Sequence, residues 1–314
     1  MGTKLSTLLG ATESRVVFAL LASIALVDVG LRLTDSRLSG NLAHVEAIPE
    51  IVAGAGVPAR KSLLVLGNSL TNNGVAPELV TDRLPNVSVA KVTPDATGLW
   101  DWQCLLDHQV VGRDDVQFDT IAIGFAWHLL SDQSRVDASR LGSLYCNWDD
   151  LARAGGIGLK NSGDIGEFVA AKVLRTYALR DTLRNRFFQA TVPSYVQFTQ
   201  ATNAARAGAA EQPARPSAQS EKYTYETFSA LLDRLQSKGT RVVVVAMPVR
   251  QGYELDPELR SLQDRGAIEL IDLRGLAGIE PTHYLDGIHL DSAGRQILSR
   301  ALADYLAAEL FSST

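Results

Sequence analysis

Five short apolar runs divide this chain, each closed by polar or turn-forming residues. "SLLVLG" (62–67) is uninterrupted over the length of a strand, as in a parallel sheet covered on both faces. "NVSVAKVT" (86–93) alternates as a strand does, and "FDTIAIGF" (118–125), "TRVVVVAMPV" (240–249) and "AIELIDLRGL" (267–276) supply three more. Helical patterns fall between them. "VAPELVTDRL" (75–84) places Pro77 in a first turn, where its missing N–H does no harm. "GLWDWQCLLDHQVVG" (98–112), "YTYETFSALLDRLQSKG" (223–239), closed by Lys238 and Gly239, and "SAGRQILSRALADYLAAEL" (292–310) complete the series. Strands alternating with helices predict a three-layer α/β/α sandwich on a mainly parallel sheet. Ligands of such sheets bind beyond the carboxyl ends of the strands, and Gly67-Asn68-Ser69 falls at one of these ends.

Two stretches depart from that alternation. Residues 147–222 read as an insertion, because neither flanking half completes a sheet alone. Within it "IGEFVAAKVLRTYALRDTLRNRFF" (165–188) sets Phe168, Val169, Val173, Tyr177 and Phe187 near one face. Lys172, Arg175, Arg180, Arg184 and Arg186 make the remainder basic, expected as a solvated outer face, with docking to a membrane surface or anionic glycan as the sharper alternative. "NAARAGAAEQPARPSAQSEK" (203–222) has no apolar period and reads as a flexible loop.

At the other end, "RVVFALLASIALVDVGLRL" (15–33) is apolar from Val16 to Val27, and sixteen residues lead to Leu31. Lys4 and Arg15 precede it and no convincing small-x-small cleavage site follows, so 1–33 reads as an uncleaved membrane anchor and 34–60 as a linker. Asp28 is tolerable near an interface but costly deeper. The remaining domain is then 61–314.

Composition narrows the choice of function mainly by exclusion. A net charge of −5 with no basic stripe gives nucleic-acid binding no support. Cys104 and Cys146 form no CxxC pair, which leaves a zinc or thioredoxin-like site unsupported, and spacing alone cannot choose between a disulfide and two thiols. HExxH, GxSxG and GxxxxGK[ST] are absent, and "GAGVPA" (54–59) precedes its strand, whereas a dinucleotide site needs the glycines after it. No metal or cofactor is expected.

Ser69 is the candidate nucleophile. A serine hydroxyl needs a base, a carboxylate to orient that base, and donors for the developing oxyanion. Of five histidines, His289 stands out, in "YLDGIHLDSAG" (284–294), with Asp286 three residues before it, close enough to bond the ring within one turn. The bland readings are a helix-capping serine and a surface His–Asp pair; both would have to mimic one site. His128, beside Trp127, reads as a packed strand-end residue.

"LVLGNSLT" resembles the first block of the SGNH, or GDSL, hydrolases, and "DGIHLDSAG" resembles their last. The resemblance covers about 60–145 and 223–310 and implies an SGNH, flavodoxin-like fold with Ser69 as nucleophile, His289 as general base and Asp286 as its orienting carboxylate. It also implies that the Ser69 and Gly98 N–H groups bind the oxyanion. Asn68 replaces the Asp of the first block. The third block, Gly-x-Asn-Asp, is altered: Gly124 is present, but Ala126 and Trp127 occupy the Asn and Asp positions, leaving Asn72 or His128 to supply the missing donor. The altered block and the anchor are most similar to membrane-anchored bacterial proteins that acylate envelope polysaccharides. That subgroup implies an acyl-ester substrate on a glycan, a membrane-bound O-acyltransferase as partner, and a catalytic domain outside the cytoplasmic membrane. The other class is a noncatalytic, glycan-binding scaffold.

Overall fold

The computed structural model of the chain describes residues 11–57, 61–199, 202 and 222–309. Five parallel strands form one sheet in the order β2-β1-β3-β4-β5. They are β1 (Lys61–Leu66), β2 (Val87–Val92), β3 (Thr120–Phe125), β4 (Arg241–Ala246) and β5 (Glu269–Asp272). Each apolar run of the sequence contains one strand. β1 pairs Leu66 with Val92 on one side and with Ile123 on the other, so the chain reverses its order across the sheet at β1. Loops diverge at that crevice and leave room for a ligand.

Alternation along β1 assigns the two faces. Leu64 and Leu66 pack with Ile121, Ile123, Val242 and Val244 under one helical layer, while Leu63 and Val65 pack with Ala122, Val243 and Val245 under the other. The first layer holds α2 (Gly40–Ala55), α5 (Leu99–Leu106) and the helix Glu226–Ser237. The second holds α4 (Pro77–Arg83) and the C-terminal helix Ser292–Glu309. The result is an α/β/α sandwich with every strand parallel.

Helix α2 corrects the expected linker at 34–60. Ser39 accepts a hydrogen bond from Leu42 N–H at its start, and Ile48, Val52 and Ala55 are buried in the core. Pro49 and the glycines Gly40 and Gly54 hid its period; a proline inside a helix removes one hydrogen bond, and packing against the sheet compensates here.

The insertion is helical where it is described, but it does not present one continuous apolar face. Leu174 is extended and splits Ser162–Val173 from Arg175–Ala178, with Arg180–Thr191 following. Phe168 is fully buried and Val169 packs on the core, whereas Val173 and Phe187 are exposed. The expected basic face is also mostly bonded to the protein itself: Lys172 donates to Cys146 O, Arg175 to Asp35, Arg180 to Glu167 and Arg186 to Leu38 O, and Arg184 pairs with Asp181. The loop expected at 203–222 lies outside the described residues, apart from its last.

Helix α1 (Ala11–Arg32) leaves Phe18, Leu20 and Leu21 exposed, and Thr12–Arg32 is long and apolar enough to cross a membrane. Asp28 is partnered at its base, accepting from Arg32 Nε at 2.8 Å and from Thr176 N–H at 2.9 Å. Cys104 and Cys146 form a disulfide that ties α5 to the start of the insertion.

Candidate active site

Ser69 is the first residue of α3 (Ser69–Gly74), a helix that begins directly at the end of β1. The sequence placed the next helix only near Pro77. The cap is Asn68, whose Oδ1 accepts from Leu70 N–H at 3.0 Å. The Asn68 amide donates to Thr97 O at 3.1 Å, so both its polar ends are committed to holding the β1 and β2 loops together. Thr71 is driven between two strand ends. A Cβ on Gly67 would lie 2.0 Å from its hydroxyl oxygen, and one on Gly124 2.1 Å. Those glycines, one of them the survivor of the third block, are therefore required by close packing around the serine turn.

His289, the expected base, sits on a local turn before the C-terminal helix. Asp286 Oδ1 accepts from the backbone N–H of Ile288 (3.2 Å) and of His289 (2.9 Å), an Asx-type turn, and Gly287 takes the left-handed φ of 87° that the turn requires. Leu285 N–H donates to His289 O, and Arg250 N–H donates to Gly287 O, which fastens this loop to the end of β4. The second carboxylate oxygen, Asp286 Oδ2, is 2.7 Å from His289 Nδ1, and His289 Nε2 is 2.8 Å from Ser69 Oγ. With Nδ1–H donating to Asp286, Nε2 accepts the serine O–H. Partial burial pushes the Asp286 carboxyl up, but hydrogen bonds from the His289 ring and from the His289 and Ile288 backbones outweigh it, so the group lies below its usual range. The structure therefore brings Ser69, His289 and Asp286 into one hydrogen-bonded line.

The other expected oxyanion donors are placed differently. Gly98 N–H donates to Asp101 Oδ2 at 3.1 Å. That carboxylate is buried and held by Arg140 through both Nε and Nη2, each at 2.9 Å. The Gly98 N–H is thus committed to capping α5, a role its spacing to an acid three residues on could have announced. Asn72 turns its Oδ1 to Lys91 Nζ at 3.0 Å and to Thr93 Oγ1 at 3.3 Å. Lys91, whose ammonium also donates to Val75 O, is pushed down to about 8, by burial first and by neighbouring Arg295 second. His128 stacks on Tyr223 at 5.3 Å in a separate aromatic cleft. Ser69 N–H, in the first turn of α3, needs no intrahelical acceptor and is the one expected oxyanion donor left uncommitted by helix geometry.

At the altered third block, Ala126 is fully buried against Leu70 and Val249. Trp127 beyond it adopts φ of 51°, unusual for a bulky residue. The sulfurs of Cys104 and Cys146 and a carboxylate oxygen of Asp150 lie within 4.8 Å of one another, but the disulfide leaves no thiolate to ligate a metal.

No known family profile and no curated protein matches the sequence. Among solved structures, the fold is similar to a Bacteroides fragilis NCTC 9343 protein described as a "putative acylhydrolase". Its TM-score is 0.41 at 9% identity, covering 83% of this chain and 94% of that one. It is also similar to TesA, with a TM-score of 0.36 and 12% identity over 78% of this chain and 98% of that one. Likeness at this distance carries no argument about chemistry.

Proposed function

We propose that the protein is a serine-dependent acyl-ester enzyme of the SGNH kind, acting on acyl groups of an envelope polysaccharide. The observation that carries this reading is the line Asp286–His289–Ser69, with contacts of 2.7 and 2.8 Å, the second joining residues 220 positions apart. Ser69 Oγ attacks the acyl carbonyl carbon while its proton passes to His289 Nε2, and Asp286 stabilises the imidazolium. The tetrahedral oxyanion is held by Ser69 N–H. Collapse expels the alcohol, which takes the proton from His289, and leaves an acyl-Ser69 ester. A water or a sugar hydroxyl then surrenders its proton to His289 and attacks, giving an acid or a new ester and restoring the serine.

In this reading Thr12–Arg32 anchors the chain in the cytoplasmic membrane with the catalytic domain outside, where a disulfide such as Cys104–Cys146 persists. A membrane-bound O-acyltransferase would work beside it as a source or recipient of acyl groups.

The second reading, a noncatalytic glycan-binding scaffold, is favoured by one specific observation: the Gly98 N–H and both polar ends of Asn68 are already engaged. Fluorophosphonate labelling decides between them. The chain should be labelled at Ser69, and Ser69→Ala should abolish the signal. Repeating the reaction with an acyl donor and a polysaccharide acceptor separates transfer from hydrolysis. A folded protein that never labels supports the scaffold.

A further inference from the structure

An aromatic cleft of about 330 Å³ opens on the carboxyl edge of the sheet. We infer that this cleft, walled by Trp127, His128, Tyr223, Tyr225 and Tyr253, is the subsite that binds the glycan, and that it takes uncharged pyranose residues and rejects uronates. The inference rests on the reading of Ser69 as an acyl-transfer nucleophile and names where the sugar sits.

Position is the first argument. Tyr253 lies across two strand ends, its hydroxyl 3.2 Å from Phe125 O and 3.1 Å from Met247 O. Trp127 follows Ala126, which packs on Leu70, the residue after Ser69. The cleft and Ser69 are therefore joined through one packed layer, Leu70 and Ala126 with Tyr253 against them.

Ring geometry is the second. The Trp127 and Tyr253 rings meet at 5.8 Å with a 41° tilt, and His128 and Tyr223 are parallel within 3°. Trp127 is 38% exposed, so its indole is neither buried in the core nor free of the cleft. Its left-handed backbone aims a large ring at this edge where the third block would carry a polar side chain, and an outlier of that kind is a pointer to function. Flat apolar faces with polar edges suit the C–H faces of a pyranose as they suit other rings.

The third argument is an unmet bond. Tyr225 is 4% exposed and lines the cleft, yet its buried hydroxyl has no hydrogen-bond partner among the described residues. Buried hydroxyls are ordinarily satisfied, and a small shift of the Tyr225 side chain toward the cleft would let a sugar hydroxyl supply the partner. Glu254 and Asp256 at the rim add negative charge that repels a carboxylated polymer. Arg274, 5.4 Å from the Tyr253 ring, does not reverse this, because it is paired with Asp272.

The test uses the full chain in detergent micelles as the Ser69→Ala variant, so that binding is read without turnover. Isothermal titration with cellohexaose and mannohexaose should show binding of at least one, and hexaguluronate should bind at least about tenfold more weakly. Trp127→Ala should raise Kd about tenfold or more, Trp127→Phe should return it to within about threefold, and Tyr225→Phe should raise it about threefold to tenfold. No binding of either neutral sugar, equal or tighter uronate binding, or an unchanged Kd in Trp127→Ala would overturn the subsite. Fluorophosphonate labelling of the wild-type chain separates the two failures. A chain that labels but binds no sugar keeps the hydrolase and loses the subsite. One that binds sugar without labelling keeps the subsite and loses the acyl chemistry.

Discussion

Among the described residues, two histidine–aspartate pairs have nearly equal geometry and unequal surroundings. His289 Nδ1 lies 2.7 Å from Asp286, and His108 Nε2 lies 2.6 Å from Asp150. The difference is in what meets the other ring nitrogen. For His289 it is the Ser69 hydroxyl at 2.8 Å, at the mouth of the sheet. For His108 it is the side-chain amide of Asn147 at 3.2 Å, beside the disulfide. Asp150 is buried and also accepts from Asn147 N–H and Arg153, so its pair is a clasp that fixes the insertion to the turn following α5. The imidazole–carboxylate motif is thus not chemistry by itself. In the proposed function, what makes it so is a hydroxyl on the free nitrogen at a strand end.

The comparison breaks most sharply at the two histidines. Ser69→Ala or His289→Ala should lower kcat on a small ester by about 10⁴–10⁶-fold, because the members of such a line act as a unit. His108→Ala should leave kcat within about threefold. If His289→Ala retains near wild-type activity while labelling at Ser69 persists, the assigned base is wrong.

Asp286→Asn should cost about 10⁴-fold in kcat by favouring the wrong tautomer, with little change in Tm. Asp150→Asn should do the reverse, leaving the rate alone and costing about 1–3 kcal/mol of stability through a damaged buried network. Thermal melts and ester assays on the same preparations read both halves. Opening the disulfide that flanks the clasp, in the Cys104→Ala/Cys146→Ala variant, should cost about 4 kcal/mol on a chain-entropy estimate for its loop. A fall in esterase rate of more than about threefold at a temperature where the variant is folded would show that the clasp reaches the site.

Two pH effects are smaller. The Asp286 carboxyl lies below its unfolded value of 3.8, so its contribution to stability is present above that pH and is lost as the pH falls through the lower, folded value. Asp286→Asn should remove this part of the acid limb in a stability titration, whereas His108→Ala should not. Lys91 titrates near 8 when folded against 10.5 unfolded. Between those values the unfolded chain binds more protons, so stability should rise with pH across the window, and Lys91→Met should flatten the rise.

The strands and the three central residues were legible because their signals are local. An apolar run ends at Ser69, and Asp286 and His289 share one turn, so spacing alone brings the carboxylate to the ring. The clasp was not legible, since His108 and Asp150 are 42 residues apart and nothing near either announces the other. Helix α2 was missed for a different reason: Pro49 and its glycines lower local helix propensity, and tertiary packing overrides it. The expected oxyanion roles of Gly98 and Asn72 came from position in a pattern, whereas hydrogen bonding to Asp101 and Lys91 decides where those groups point. The aromatic cleft gathers rings from three distant loops, which no single window of sequence displays.

The bond between Ser69 and His289 also sets a schedule. Residues separated by 220 positions cannot meet until both have left the ribosome, and the His289 loop is held by the loop that follows β4. Helix α1 and Ser69 emerge well before Asp286 and His289. A chain interrupted between them therefore carries Ser69 without the His289–Asp286 pair that meets it in the folded protein.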